Sequence, residues 1–304
     1  GQETRLAEQT VRPVALRTAA DGTVVADFGV VIPARPVVRF HAGVTGHTVP
    51  IRAGYTLTGT GRVATSTLMS QGTDMSFPYT QTDGEQEFRA FTHLAFRYLE
   101  IPDAGEEIAL DDVSAVVVHT DVPPGGEATF ASSDATLDAV WAMMARSALY
   151  SVQEAFVDTP TREKGQFLGD ATNISYATMG AYGERDATQQ AIREFLRSAA
   201  RYWNTGDDRG RYNAVYPNGD GKRDIPDYSL MFVDWVWRYW TESGDRDLLA
   251  EAYPAIRDTA DYVLRHIPAT GPTAGLVTEL AGGSGAYRFG IVDWPEPGRF
   301  GYDM

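Results

Sequence analysis

The stretch Val122-Pro-Pro-Gly-Gly126 separates two hydrophobic rhythms that no one element can satisfy. Before it, short runs rich in β-branched residues alternate with Gly, Pro, Asp and Thr, the pattern of strands and turns. These runs cover residues 23–33, 37–42, 48–55, 62–68, 75–81, 87–93, 96–101 and 113–120, with a short run at 128–130. After it, apolar residues recur every three or four positions. Side chains two apart share a strand face, whereas three and four apart share a helix face, so the change of period marks a change of architecture. The expected fold class is multidomain β + α. A β-sandwich or jelly roll over 1–126 precedes a helical array over 127–304.

The helical part carries its own punctuation. Ser132-Ser-Asp134 supplies N-cap candidates, and Leu137, Val140, Trp141, Met144, Ala148, Leu149 and Val152 form an apolar stripe. That helix is expected to run to about residue 157, because Pro160 disfavours helical geometry at Thr159. Asp170 is expected to cap a second helix closed by Gly183. Asp186 is expected to cap a third, a fourth spans 227–242 before Gly244, and Asp245 caps a fifth. Trp141, Trp203, Trp235, Trp237 and Trp240 read as ordinary helix packing. The helix count is about half of what a six-pair toroid needs.

Charge and residue usage exclude several function classes. The formal net charge of −15 repels nucleic acid and anionic membranes, so neither is an expected partner. No apolar run approaches the ~20 residues of a membrane-spanning helix. The chain contains no cysteine, which removes disulfides and thiolate metal sites and leaves the compartment, secreted or cytoplasmic, open.

The chemistry concentrates in Asp158-Thr-Pro-Thr-Arg-Glu163-Lys-Gly-Gln-Phe-Leu-Gly-Asp170. Three carboxylates and two basic residues share a helix–helix connection bordered by Phe156, Val157, Phe167 and Leu168. Such a border implies partial burial, and a buried carboxyl either finds a partner or resists ionisation. This stretch resembles the catalytic loop of glycoside hydrolase family 78, the bacterial α-L-rhamnosidases. Asp158, Pro160, Arg162, Glu163, Lys164, Gly169 and Asp170 match that pattern. Thr159 stands where the family carries Cys, and Gln166-Phe167 where Gly-Trp is usual. Asp27-Phe-Gly29, Phe91-Thr-His-Leu-Ala-Phe-Arg-Tyr-Leu-Glu100 and Val116-Val-Val-His-Thr-Asp121 resemble, in order, the β-domain ahead of the family's catalytic barrel.

The resemblance implies an (α/α)6 barrel, of which this chain holds the first helices. It also implies an inverting hydrolase that releases terminal α-L-rhamnose from a carbohydrate substrate without a cofactor. Glu163 falls at the general-acid position, a role that needs a proton held near neutral pH. Asp158 and Asp170 would accept hydrogen bonds from sugar hydroxyls, and Arg162 would orient one of them or touch substrate. Phe167, Tyr228 and Trp294 are candidate walls for the sugar ring, and Asp293 a hydroxyl ligand. The base is expected beyond Met304, with the rest of the barrel supplied by the same or a second polypeptide. The two altered motif positions leave room for a relative that cleaves another sugar, or for a non-catalytic carbohydrate-binding protein of the same fold. Residues 218–224, Asn-Gly-Asp-Gly-Lys-Arg-Asp, faintly resemble a calcium loop but lack its downstream Glu, and no metal is assigned. His93 and His119 read as hydrogen-bonded structural residues.

Overall fold

The computed structural model describes residues 5–64, 70, 72–217, 221–278 and 280. Contacts divide the chain into two units. A β unit takes Leu6–His119 together with Thr159–Lys164, and a helical unit takes Gly1–Arg5, Thr120–Asp158 and Gly165–Met304.

Among the described residues the strands are β1 Leu6–Val11, β2 Ala15–Thr18, β3 Val24–Gly43, β4 Thr48–Gly54, β5 Ser76–Thr80, β6 Gly84–Arg89, β7 Leu94–Ile101 and β8 Val113–Thr120. They join in the order β1-β8-β3-β7-β4-β5, with β2 and β6 also paired to β3. The spine is β3, which is 20 residues long. It pairs antiparallel with β2 and β7 at its start, with β8 through Ala34–Val38 and with β6 near its end. Its register shifts between Asp27 and Ile32, where Gly29 takes a φ of 78°. Asp27 is buried at this bend. It accepts hydrogen bonds from Arg97 Nε (2.9 Å), Arg17 Nη2 (2.8 Å) and the Gly29 amide (2.8 Å). The Arg97 hydrogen bond, with the Gly29 and Arg17 bonds added, outweighs burial and holds its carboxyl well below the usual range.

The sequence expectation of a strand ending at Pro33 and another starting at Val37 is corrected here: β3 runs through both prolines. Proline removes a donor but keeps its carbonyl, and Pro36 O accepts from the Ala90 amide at 2.9 Å. β1 and β2 escaped the reading because they are short and largely exposed. Of the run 62–68, Val63 makes one isolated bridge to Leu57, and 65–69 lie outside the described residues. Residues 128–130 form no strand, and the Ala128 amide instead donates to Ala181 O.

The helical unit contains α1 Ala135–Tyr150, α2 Leu168–Tyr182, α3 Asp186–Tyr202, α4 Pro226–Ser243 and α5 Arg246–Arg265. Several ends fall where their capping residues place them. Asp134 caps α1 through the Thr136 amide (2.8 Å), and Asp245 caps α5 through Leu248 (2.9 Å). Gly183 and Gly244 close α2 and α4 in the left-handed region. Three expectations fail. Asp186 is the first residue of α3 and not its cap, since Arg185 holds the N-cap position without a side-chain bond. α1 stops at Tyr150, seven residues short, because Val152 and Phe156 pair across a tight turn and bury themselves there. Their four-residue spacing imitates a helix. Asp170 does not cap α2: Phe167 holds the N-cap position without a side-chain bond, and Asp170 lies in the first turn, a place that suits a carboxylate near the positive helix end.

The core of this unit is aromatic. Phe195, Phe232 and Trp235 have no exposed surface, and Tyr212 stacks on Phe232 at 4.1 Å. Trp203 and Trp235 are fully packed, as expected, whereas Trp237 is 55% exposed. α1 differs most from expectation. Its buried positions are Ala145 and Ala148, while Leu137, Val140 and Met144 are exposed.

Candidate active site

The loop that joins α1 to α2 is closed at a neck. The Asp158 amide donates to Gly165 O at 3.0 Å, and the Gly165 amide returns a bond to Asp158 Oδ1 at 2.9 Å. Asp158 is therefore committed, at least through one oxygen, to holding the loop shut. A Cβ on Gly165 would meet the Phe167 ring at 3.0 Å and Val215 at 3.2 Å, so a side chain there would need both to shift by a few tenths of an ångström.

Between the two sides of the neck runs Thr159–Lys164, which counts with the β unit. Thr161 is buried; its hydroxyl accepts from the Ala95 amide (3.1 Å) and pairs with Tyr55 OH (2.7 Å). Lys164 takes a φ of 53° and donates to His93 O (2.7 Å) and Thr92 Oγ1 (3.2 Å). Burial lowers the pKa of Lys164. Burial first, then the Lys164 charge, pushes His93 down to about 4, so its ring is neutral near pH 7. Arg162 and Glu163 stand at the tip between these anchors. Arg162 directs its guanidinium at Glu163 (3.0 Å), where the sequence reading aimed it at Asp158 or Asp170. Adjacent residues in a tight tip reach one another without further backbone cost. The Glu163 side chain keeps 28% of its surface exposed.

In the helical unit, three other candidates meet around Gly169. Tyr228, on the first turn of α4, lies so close that a Cβ on Gly169 would fall 2.5 Å from its ring. Its hydroxyl reaches Asp170 Oδ2 at 3.4 Å, the long end of hydrogen-bond range. Phe167 is buried with Ala214, Val215 and Ile225, and Tyr228 packs on the same cluster. A short backbone ladder holds this arrangement: Leu168 N donates to Ala214 O (2.9 Å) and Tyr216 N to Gln166 O (3.2 Å). Phe167 is thus largely a packing residue, whereas half-buried Tyr228 sets an aromatic ring beside the Asp170 carboxylate. Such a pairing suits the two-sided character of a sugar. Asp293 and Trp294 lie outside the described residues.

Of the loop 218–224, residues 218–220 also lie outside the described residues. Lys222 bonds Asp208 and lies over the Trp203 ring, and Asp224 is fully buried 3.4 Å from Arg211. Burial raises the Asp224 carboxyl to about 7 against the pull of Arg211. Among the described residues no group of three His, Cys, Asp or Glu side chains is arranged to hold a metal ion. Sequence reasoning missed the anchors Thr161, Tyr55 and Gln166. Their partners are distant in the chain, and a lone Thr or Gln carries no signal of what it will touch.

Comparison with known proteins agrees with this architecture. Residues 126–303 match the family model described as the bacterial alpha-L-rhamnosidase 6 hairpin glycosidase domain, and residues 17–119 the bacterial alpha-L-rhamnosidase concanavalin-like domain. No curated protein sequence gives a significant match. Among solved structures, an alpha-L-rhamnosidase from Dictyoglumus thermophilum superposes with a TM-score of 0.73 at 20% identity, over 86% of this chain and 29% of that one. A Streptomyces avermitilis alpha-L-rhamnosidase complexed with L-rhamnose gives 0.72 at 21% identity, over 88% and 26%. A Klebsiella oxytoca rhamnosidase with rhamnose bound gives 0.68 at 18% identity, over 97% and 62%. At these identities the structures establish a shared fold, and the chain spans less than a third of the first two. With one family model covering more than half its length and a second covering the β unit, the chain belongs to the bacterial α-L-rhamnosidase family.

Proposed function

We propose that the protein is an inverting glycoside hydrolase that releases terminal α-L-rhamnose, with a β domain over 1–126 ahead of the first part of a helical catalytic barrel over 127–304. Glu163 is the general acid that protonates the departing glycosidic oxygen. Asp158 and Asp170 accept hydrogen bonds from sugar hydroxyls, with Asp293 as a further hydroxyl ligand. The rings of Tyr228 and Trp294 pack on the C–H side of the sugar ring, and Phe167 supports Tyr228 from the core behind it. Arg162 holds the Glu163 carboxyl in one orientation through their 3.0 Å contact. The reaction needs no cofactor, and no base is assigned among the described residues.

The observation that carries this reading is the tip of the loop. A partly accessible carboxyl stands between two anchors, the buried Thr161 and the half-buried Lys164, in a segment whose sequence resembles the family's catalytic loop. A general acid must be both reachable and fixed, and this tip supplies both. Asp170 beside Tyr228 supports a sugar-binding role for the helical unit. A second reading, a relative acting on a different sugar, draws on Thr159 and on Phe167, whose ring has no indole N–H.

The test is hydrolysis of phenyl α-L-rhamnoside, whose weakly acidic leaving group needs the proton, with the first-formed anomer read by proton NMR. The expected first product is β-L-rhamnose. Glu163→Gln should lower the rate about 10²–10⁴-fold, the usual worth of a general acid. An α first product contradicts inversion, and equal rates remove Glu163 from the mechanism. Activity on another glycoside only would select the second reading.

A further inference from the structure

The proposed mechanism makes no use of Gln166, although its side chain is only 1% exposed and both ends of its amide are engaged. Its Oε1 accepts from the Phe156 amide at 3.1 Å, which adds one more rung to the neck formed by Asp158 and Gly165. Its Nε2 donates to Tyr216 O (2.8 Å) and to Glu194 Oε2 (2.7 Å). One side chain thus ties both sides of the loop neck to the 214–216 ladder and to α3. Glu194 is itself fixed by Gln190, four residues earlier on the helix, at 3.3 Å. Burial raises the Glu194 carboxyl while these amide bonds lower it, as for a half-buried group with dedicated donors. A buried amide that loses one of its partners is left with an unsatisfied group, so this network holds its geometry firmly.

We infer that Gln166 and Glu194 are positioning residues that fix the neck of the 158–165 loop and so hold Glu163 in one orientation for proton donation. The inference rests on the reading of Glu163 as general acid. Neither residue touches substrate; each acts through the loop.

A displaced acid harms only those substrates whose leaving group needs a proton. The experiment therefore compares a methyl α-L-rhamnoside, whose alkoxide leaves only when protonated, with the 2,4-dinitrophenyl α-L-rhamnoside, whose phenolate leaves unaided. It uses the full-length enzyme. Gln166→Leu and Glu194→Ala should lower kcat on the methyl glycoside about 10–100-fold, since an error of ~1 Å in placing a catalytic group costs about that much. KM, and the rate on the dinitrophenyl glycoside, should stay within about threefold of wild type. Glu194→Gln keeps an acceptor for the Gln166 amide and should recover most of the rate on the methyl glycoside. Equal losses on both substrates, no loss on either, or a Glu194→Gln as impaired as Glu194→Ala would overturn the inference. Glu163→Gln is run in parallel. If it too treats both substrates alike, the general-acid reading falls. If it discriminates between them and the Gln166 and Glu194 variants do not, only the positioning inference falls.

Discussion

Gly169 shows how tightly the residues around the site are specified. A methyl group there would lie 2.5 Å from Cε1 of Tyr228, and the ring is held between α2 and the 214–216 ladder. Gly169→Ala should therefore destabilise the protein by about 1–3 kcal/mol, as overpacking does, measured by urea unfolding. Trimming the ring in a Gly169→Ala/Tyr228→Ala double variant should make the alanine cost vanish in a mutant cycle. A cost that persists without the ring would show that the clash is not its source. Asp224 gives a second prediction at this scale. Its carboxyl is raised from 3.8 to about 7 by burial, so between those values the folded state holds a proton that the unfolded state has released. The folded state binds more protons there, and this group's contribution to stability falls as pH rises through that window. Asp224→Asn should remove that component from unfolding free energies measured between about pH 4 and 7.5. An unchanged slope would contradict the assignment. At the residue scale the sequence reading named Asp158, Arg162, Glu163, Phe167, Asp170 and Tyr228 as neighbours in function. It could not name partners. Arg162 turned to the adjacent Glu163, and Gln166 looked like a mere departure from Gly because nothing in a sequence ties it to Glu194, 28 residues away.

The elements are stabilised unequally by their caps. Asp245 serves α5 through Leu248 N and also accepts from Gln189 Nε2 on α3 at 2.6 Å, whereas the Asp134 cap of α1 is exposed. Asp245→Ala should cost about 1–2 kcal/mol and Asp134→Ala about 0.5–1 kcal/mol in chemical denaturation. The reverse order would show that the Gln189 bond adds nothing. Helix ends with a cap of their own were legible in advance, because a capping Asp or a left-handed Gly acts on its immediate neighbours. The end of α1 was not. Val152 and Phe156 keep helical spacing while the chain folds back between them, and only their mutual burial distinguishes the two cases. β3 misled in the opposite sense. Pro33 and Pro36 read as breaks, yet the strand passes through both: Pro33 stays in register opposite Ala95, and the carbonyl that Pro36 retains accepts from the Ala90 amide.

For the molecule as a whole, the change of hydrophobic period near residue 122 was the most informative feature, since it separates a sheet-forming half from a helix-forming half. The two family models fall on either side of it, at 17–119 and 126–303. Contacts follow a less simple rule: Thr159–Lys164, in the middle of the helical sequence, count with the β unit. Periodicity cannot foresee such an excursion, because the bonds that cause it run from Thr161 and Lys164 to residues 55, 92, 93 and 95. The proposed mechanism depends on Glu163 giving a proton to the leaving oxygen. The most direct test is the dependence of kcat/KM on leaving-group pKa across a series of aryl α-L-rhamnosides, for wild type and Glu163→Gln. Proton donation by Glu163 gives a shallow dependence for wild type and a steep one for the variant, with the variant nearly as fast as wild type on the most acidic phenol. Parallel lines of equal slope would contradict it.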